Sequence, residues 1–299
     1  DIQSDYRYNF NNIINYNRLK MKKKYGRILT VQDISCIGQC SLTVALPIIS
    51  ACGHETIILP SAILSSHTYR FKGWTFRDLT EDLPAIIEHW KSEGITFDAC
   101  YTGYLGSKKQ IDIIKRIFSD MLRPNGIKLV DPAMADDGLL YPGFDDEYVA
   151  EMKKLIAVSD IALPNITECC FLTGTEYKTE YDEKYVKDMV SELKAIGAKA
   201  VVVTGVKFNG EATGVFVSDK DGNEYYYGHK VIPGTFHGTG DIYASAFIGA
   251  YVKGLSINES ARLAADYTVK CIENSIGDED HWYGVKFETA LRYLTDKLN

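Results

Sequence analysis

The residues best suited to chemistry form the run Phe236-His237-Gly238-Thr239-Gly240-Asp241, directly before an apolar segment of helical pattern at 242–253. Its two glycines permit a tight turn. The first N–H groups of a helix have no partner within it, so at such a turn they can converge on an anion. Asp241 would either compensate the helix dipole or act as a general base toward a substrate hydroxyl during phosphoryl transfer.

Other polar side chains follow the predicted strands of a parallel sheet, and ligands gather at that edge of such sheets. These candidates are Asp33 and Ser35 after the first strand, His67 and Thr68 after the second, Asp131 and Asp136 after the fourth, Asn165 and Glu168 after the fifth, and Thr204 ending the sixth. The sequence has neither a Walker A loop nor a Rossmann glycine motif. Without a P-loop lysine, phosphoryl transfer would need Mg²⁺ and the carboxylates Asp131, Asp136 and Glu168 to balance charge.

Short β-branched runs alternate with segments of helical periodicity from Arg27 onward, which predicts βαβ units. The predicted strands are 28–31, 56–59, 99–102, 128–131, 161–163 and 200–204. The predicted helices are 41–51, 79–92, 108–122, 145–158, 183–196, 240–253, 256–276 and 287–297. Asp221-Gly222, between strands 215–217 and 224–227, predicts an antiparallel hairpin. We therefore expect an α/β fold with a mostly parallel central sheet, flanking helices and a small antiparallel hairpin.

Residues 1–20 are rich in Asn and Tyr without a sustained period, and Met21 resembles an initiator. We expect 1–20 to be an N-terminal extension, disordered or foreign to the native protein, and 21–299 to form a single domain. The net charge of −7 argues against a nucleic-acid partner. An odd number of cysteines in mostly apolar runs is typical of reduced thiols, and no apolar stretch reaches membrane-spanning length. These features predict a cytoplasmic protein with no membrane partner.

From about Arg27 to the C-terminal helices, the sequence resembles the ribokinase-like superfamily and, within it, the pyridoxal and pyridoxamine kinases of vitamin B6 salvage. Gly238-Thr239-Gly240-Asp241 is similar to the superfamily's anion-hole and base signature. Asn165-Ile166-Thr167-Glu168 is similar to its N-x-x-E motif for magnesium and phosphate. Segments similar to the B6 branch are Ser66-His67-Thr68-Tyr69, Thr102-Gly103-Tyr104, and Asp131-Pro132 with Asp136.

The resemblance implies a ribokinase-like fold and ATP- and Mg²⁺-dependent phosphorylation of the 5′-hydroxymethyl group of a B6 vitamer. Asp241 would be the base, and the amides of Gly238, Thr239 and Gly240 would hold the transferring phosphate. His67 and Thr68 would contact the pyridine ring. On the nucleotide and metal side, the implied residues are Asn165 and Glu168 for Mg²⁺, Asp131 and Asp136 lining the nucleotide and metal, Thr204 for ATP phosphates, Tyr141 facing the nucleotide, and the hairpin segment 225–230 near the adenine. The resemblance also implies a homodimer, and it leaves any requirement for a monovalent cation open.

Asp33 stands where many pyridoxal kinases have serine, and the family's glycine between Thr68 and Tyr69 is missing. A desolvated carboxylate favours an ammonium group over a neutral aldehyde, so one hypothesis is that Asp33 selects pyridoxamine. We place Ser35 in the same substrate pocket. Two other functions stay open: hydroxymethylpyrimidine kinase, which shares the signature, and a non-catalytic sensor of B6 vitamers or ATP. The retained base and N-x-x-E carboxylate count against the sensor.

Overall fold

The computed structural model describes residues 25–208 and 212–298, so the predicted extension 1–20 lies outside the described residues. The strands are β1 (Arg27–Ser35), β2 (Glu55–Leu64), β3 (Phe76–Asp78), β4 (Phe97–Thr102), β5 (Leu122–Val130), β6 (Ala135–Asp136), β7 (Leu139–Leu140), β8 (Ile161–Ala162), β9 (Ala200–Val206), β10 (Ala212–Ser218) and β11 (Glu224–Lys230). Nine of them form one sheet in the order β11-β10-β9-β8-β5-β4-β1-β2-β3, and β6 pairs with β7 in a separate ribbon.

The centre of the sheet is parallel and its edges are antiparallel. All neighbours from β9 to β2 run parallel, whereas β3, β10 and β11 pair antiparallel. Parallel neighbours need a crossover connection, which accounts for the alternation of strands and helices in the sequence. The β10–β11 hairpin turns through Gly222, whose φ is 86°, as the Asp221-Gly222 pair predicts. The mostly parallel sheet with its small hairpin is confirmed.

The helices cover both faces of the sheet. They are α1 (Leu42–Ala51), α2 (Leu83–Ser92), α3 (Lys108–Asp120), α4 (Asp146–Ile156), α5 (Ile166–Thr173), α6 (Glu183–Ile196), α7 (Thr239–Lys253), α8 (Ile257–Glu273) and α9 (Leu291–Leu298), with 3₁₀ turns at Glu279–His281 and Phe287–Ala290. Helices α1, α7, α8 and α9 pack on one face, and α2 to α6 pack on the other. In β1, Ile28 faces the first layer while Leu29 and Val31 face the second. This alternation buries the strand on both sides.

Strand β1 is longer than the sequence predicts. Its pairing with β2 continues until Ser35 lies opposite Leu64, with a register shift between Gln32 and Ile34. The prediction that Asp33 follows the strand is therefore wrong, and so is that for Ser35, because both lie within it. They still lie at its carboxyl end, which is the edge where the other candidates gather.

The sequence analysis did not predict several short elements. These are the edge strand β3, the β6–β7 ribbon and the eight-residue helix α5. Elements of this length are too short for hydrophobic periodicity to show. Helix α8 ends at Glu273 rather than at residue 276, and the predicted helix 287–297 begins as a 3₁₀ turn. Within 25–208 and 212–298, no helix has both the length and the apolar character needed to cross a membrane.

Candidate active site

The turn before α7 is built around Gly238. This residue has a φ of 78°, and a Cβ atom there would lie 1.7 Å from the backbone oxygen of Gln39. Only glycine fits unless the neighbouring chain moves. The helix begins where the N–H of Ile242 donates to the carbonyl of Gly238 at 3.1 Å. Among the described residues, the N–H groups of 239–241 have no acceptor, so they stay available to an external anion.

The carboxylate of Asp241 lies in the first turn of α7, partly buried. Desolvation by the surrounding protein raises the pKa of Asp241 to about 7. The nearby backbone N–H of Ser41 lowers this pKa, and the negative charge of Asp33 raises it further. A base with a pKa near neutrality is suited to general base catalysis at physiological pH. The fold thus places a carboxylate with a pKa near neutrality in the same turn as amide N–H groups that have no acceptor within the described residues.

Asp33 lies next to Asp241. Its side chain is buried, and the hydroxyl of Ser35 donates to Oδ2 at 2.8 Å. Burial raises the pKa of Asp33, and the side chains of Ser41 and Ser35 lower it. Ser41 therefore lies beside both carboxylates, because its side chain acts on the pKa of Asp33 and its backbone N–H on that of Asp241. Sequence reasoning placed Ser41 only at the start of a helix and missed this role.

Asp131 lies within the electrostatic range of both Glu168 and Asp241. It follows β5, is 9% exposed, and its Oδ1 accepts a hydrogen bond from the N–H of Ala133 at 3.2 Å. Burial, followed by the negative charges of Glu168 and Asp241, raises the pKa of Asp131 well above its ordinary value. The phenol of Tyr141 lies near the same groups, since burial and then these carboxylates raise its pKa too. The structure brings these predicted residues together.

The Asn165-x-x-Glu168 motif forms the capping box of α5. Asn165 Oδ1 accepts from the N–H of Glu168 at 2.9 Å, and Glu168 Oε2 accepts from the N–H of Asn165 at 2.9 Å. Glu168 Oε1 also accepts from the N–H of Met134 at 3.0 Å, and Asn165 Nδ2 donates to the carbonyl of Ala135 at 2.9 Å. The motif therefore caps a helix and fastens the loop after Asp131 to it.

Each oxygen of the Glu168 carboxylate accepts one of these backbone hydrogen bonds. Burial raises the pKa of Glu168 to about 7, against the lowering effect of the backbone hydrogen bonds it accepts. The described residues contain no group of three or more His, Cys, Asp or Glu side chains placed to hold a metal ion. Asp136 is exposed on the β6–β7 ribbon, where its Oδ1 accepts from the N–H of Asp137 at 3.0 Å. The charge of Asp136 nevertheless acts on Glu168 and on Tyr141, so the assignment of Asp136 and Glu168 to the metal side of the site stays a prediction.

The site nevertheless fits a magnesium ion that arrives with phosphates. Mg²⁺ prefers carboxylate oxygens, keeps several waters, and is commonly held by one or two carboxylates together with substrate phosphates. Asp131 supplies such an oxygen, and the mutual repulsion that raises its pKa would be relieved by a cation. Thr204 lies close by, half-buried at the end of β9 and bridged to Asn165.

The predicted substrate segment carries an aromatic cluster. His67 Nδ1 accepts from the N–H of Tyr69 at 3.1 Å, and its Nε2 lies 2.8 Å from the carbonyl of Tyr283. Both ring nitrogens are therefore occupied by the protein, so His67 can contact a ligand only through its ring. Thr68 is exposed beside it. His237, which sequence reasoning did not single out, packs against His67 with ring centroids 4.0 Å apart and stacks on Tyr69 at 5.3 Å.

Comparison with known proteins identifies the family to which the chain belongs. Residues 78–284 match the phosphomethylpyrimidine kinase family model. A Bacteroides thetaiotaomicron protein classed as a phosphomethylpyrimidine kinase and crystallised with pyridoxal is 35% identical, with a TM-score of 0.86 over 91% of this chain and 96% of that one. Pyridoxal kinase from Lactobacillus plantarum is 30% identical, with a TM-score of 0.84 over 91% of this chain and 97% of that one.

A third relative comes from the pyrimidine side of the family. The hydroxymethylpyrimidine/phosphomethylpyrimidine kinase of Aquifex aeolicus is 26% identical over 203 residues, which are 65% of this chain and 72% of that protein. Kinases of both substrate classes thus have sequences similar to that of this chain. The resemblance to the ribokinase-like superfamily and its B6 kinase branch is confirmed. The chain belongs to the phosphomethylpyrimidine kinase family, with a ribokinase-like fold that its pyridoxal kinase relatives share.

Proposed function

We propose that this protein transfers the γ-phosphoryl group of ATP to the 5′-hydroxymethyl group of a vitamin B6 vitamer. One observation carries the proposal: the carboxylate of Asp241, with a pKa of about 7, lies in the same helical turn as three amide N–H groups for which residues 25–208 and 212–298 supply no acceptor. Phosphoryl transfer to an alcohol needs a base for the hydroxyl proton and fixed donors for the charge on the transferred group. The α7 turn offers both.

The ionised carboxylate of Asp241 accepts the proton of the substrate hydroxyl as that oxygen attacks the γ-phosphorus. The bond between the γ-phosphorus and its bridging oxygen breaks, and ADP leaves with the electron pair. The N–H groups of residues 239–241 donate to oxygens of the transferring group, and the tight turn at Gly238 fixes their direction before the substrate arrives. The products are ADP and the 5′-phosphate of the vitamer.

Magnesium enters in this account as part of the MgATP substrate, where it neutralises phosphate charge. Asp131 is the carboxylate we assign to that side of the site, with Thr204 toward the phosphates and Tyr141 toward the nucleotide. Glu168 acts as a positioning residue, since its hydrogen bonds to Met134 and Asn165 fix the loop that carries Asp131. Asp136 and Glu168 remain the carboxylates that we propose for the metal, since the charge of Asp136 acts on Glu168 and Tyr141.

The test is an assay of the purified full-length protein with MgATP and each of pyridoxal, pyridoxine and pyridoxamine. We expect ADP to form only when a vitamer is present, together with the matching 5′-phosphate detected by mass spectrometry. The same assay includes hydroxymethylpyrimidine. Turnover of hydroxymethylpyrimidine alone would assign the chain to the pyrimidine branch, and ligand binding without any turnover would favour the sensor.

The second candidate, hydroxymethylpyrimidine kinase, has support from the family model and from the Aquifex aeolicus relative. The B6 assignment is favoured by two relatives of higher identity: one is named a pyridoxal kinase, and the other was crystallised with pyridoxal. The sensor is disfavoured because the base and the N-x-x-E carboxylate are both present in the sequence.

We also propose, from resemblance, that the chain forms a homodimer and that 21–299 is a single domain. Sedimentation velocity of the full chain tests the first proposal, with a species of about twice the 33.5 kDa monomer mass expected. Limited proteolysis tests the second. We expect cleavage before residue 21 to leave one resistant fragment, whereas two stable fragments of comparable size would contradict a single domain.

A further inference from the structure

Asp33 is a buried carboxylate for which the described protein supplies no cation. It is 6% exposed, its hydrogen-bond donor Ser35 is neutral, and so is the nearby side chain of Ser41. None of the ion pairs formed within 25–208 and 212–298 includes it. The nearby His67 has both nitrogens bound to backbone groups, and burial lowers its pKa, so it remains neutral at pH 7. A buried charge without a cationic partner is costly.

The position of Asp33 relates it directly to the reacting end of the substrate. Ser41 lies beside both Asp33 and Asp241, and the charge of Asp33 acts on Asp241 itself, so the two carboxylates belong to one pocket at the end of β1 and the start of α7. The charge of Asp33 also contributes to the raised pKa of Tyr104, after burial. Asp33 is therefore the carboxylate that a ring substituent next to the hydroxymethyl group would meet if the ring were turned toward β1.

Ring chemistry then distinguishes the possible substrates. The three B6 vitamers carry the same 5-hydroxymethyl group and differ only at the adjacent 4-position, which bears an aldehyde, an alcohol or an aminomethyl group. Only the aminomethyl group is a cation at neutral pH. An ammonium group is also a strong donor to a carboxylate, and the low local dielectric strengthens that pair.

We infer that Asp33 is a specificity-determining residue that pairs with the 4-ammonium group of pyridoxamine, so the site selects a cationic acceptor alcohol over its neutral analogues. This inference rests on the proposed function for its choice of ligands. It assigns Ser35 and Ser41 to holding the Asp33 carboxylate in place. Pyridoxamine and pyridoxine are a matched pair for testing it, because they differ only in the charged group.

The experiment measures equilibrium binding of pyridoxamine and pyridoxine by calorimetry, without nucleotide, in the full-length protein and in Asp33→Asn. We expect the unmodified protein to bind pyridoxamine at least about 30-fold more tightly than pyridoxine, as a desolvated charge pair allows. In Asp33→Asn we expect this preference to fall below about threefold while pyridoxine affinity stays within about threefold. Asp221→Asn is the control, since it neutralises an exposed carboxylate at the hairpin turn.

Each outcome decides the inference. Equal binding of both vitamers by the unmodified protein overturns it, as does an equal loss for both in Asp33→Asn, which would indicate a contact with the ring or a structural role. If Asp33→Asn folds poorly, the same two affinities are measured in Asp33→Ser. The preference of the unmodified protein for pyridoxamine over pyridoxine is tested independently of either variant. Binding is independent of catalysis, so a protein that prefers pyridoxamine but turns over no vitamer keeps this inference and loses the proposed function.

Discussion

The N-terminal turns of α5 and α7 differ in how completely their backbone donors are satisfied. At α5, Asn165 and Glu168 form a reciprocal capping box and also bind the 134–135 loop. At α7, Gly238 occupies the cap position in a left-handed conformation and supplies no side-chain hydrogen bond. We call the start of α5 the closed turn, because its capping box satisfies the N–H groups of Asn165 and Glu168. We call the start of α7 the open turn, because the N–H groups of 239–241 have no acceptor within the described residues.

This difference assigns separate tasks to two motifs that sequence reasoning had placed in one site. An anion-binding turn must keep its donors free, which costs the folded protein the stabilisation that a cap would give. A closed turn cannot bind an anion with the same groups, but it can hold a loop rigidly. We therefore expect changes at α7 to act mainly on turnover and changes at α5 to act mainly on stability.

The largest effect is expected for Asp241→Asn. Loss of the base should lower kcat by about 10³-fold or more, while ADP affinity measured by calorimetry stays within about threefold. Because the raised pKa of Asp241 reflects an unfavourable buried charge at pH 8, the variant should also gain about 1–2 kcal/mol in free energy of unfolding there. A variant that keeps a tenth of the activity would show that the open turn works without its carboxylate.

Gly238→Ala tests the open turn itself. The added Cβ would clash with the carbonyl of Gln39, and the positive φ is unfavourable for alanine, so the donors should lose their alignment. We expect kcat to fall by about 10²-fold. Gly222→Ala is the matched control: its φ is 86° and nothing lies within 4 Å, so it should cost stability alone. Similar activity loss in both variants would refute a special role for position 238.

The pH profile sharpens the assignment of the base. Asp241 must be ionised to accept a proton, and its pKa is about 7. We expect kcat/KM to rise tenfold per pH unit below about pH 7 and to level off above it. A profile that is flat from pH 5 to 8 would mean that Asp241 is ionised throughout or is not the base.

The smallest effect is expected at the closed turn, for Asn165→Ala. Loss of the cap should cost about 1 kcal/mol, lowering Tm by about 2–4 °C, with kcat reduced less than tenfold. Ser256→Ala breaks the capping box that Ser256 forms with Glu259 at α8, and neither residue belongs to the candidate site. This matched control should lower Tm similarly without altering kcat. If Asn165→Ala abolished turnover at unchanged stability, the closed turn would have to contact substrate directly.

Sequence reasoning predicted the parallel sheet, the hairpin and the position of Asp241 in the first turn of α7. These follow from local patterns: alternation of strand and helix, an Asp-Gly pair, and glycines before an apolar helix. The sequence indicated less clearly that the backbone donors at the start of α5 are satisfied by its own side chains. The N-x-x-E spacing also fits a capping box, but the further contacts of Glu168 with Met134 join distant parts of the chain and depend on the tertiary fold.

The same limit applies to the substrate side. That Ser41 lies beside both Asp33 and Asp241 depends on the path of the chain between β1 and α1, and no spacing rule encodes it. Likewise, the occupation of both nitrogens of His67 depends on Tyr283, over two hundred residues away in sequence. The motifs identified the candidate site residues, while tertiary packing determined which of their polar atoms the protein itself already binds.

The most direct test of the central claim is a crystal structure with MgADP, aluminium fluoride and a bound vitamer. We predict that the aluminium fluoride group lies within hydrogen-bond distance of the N–H groups of 239–241. The 5′-oxygen of the vitamer should then lie between this group and the Asp241 carboxylate. An anion seated at the start of α5, or a vitamer hydroxyl directed away from Asp241, would contradict it.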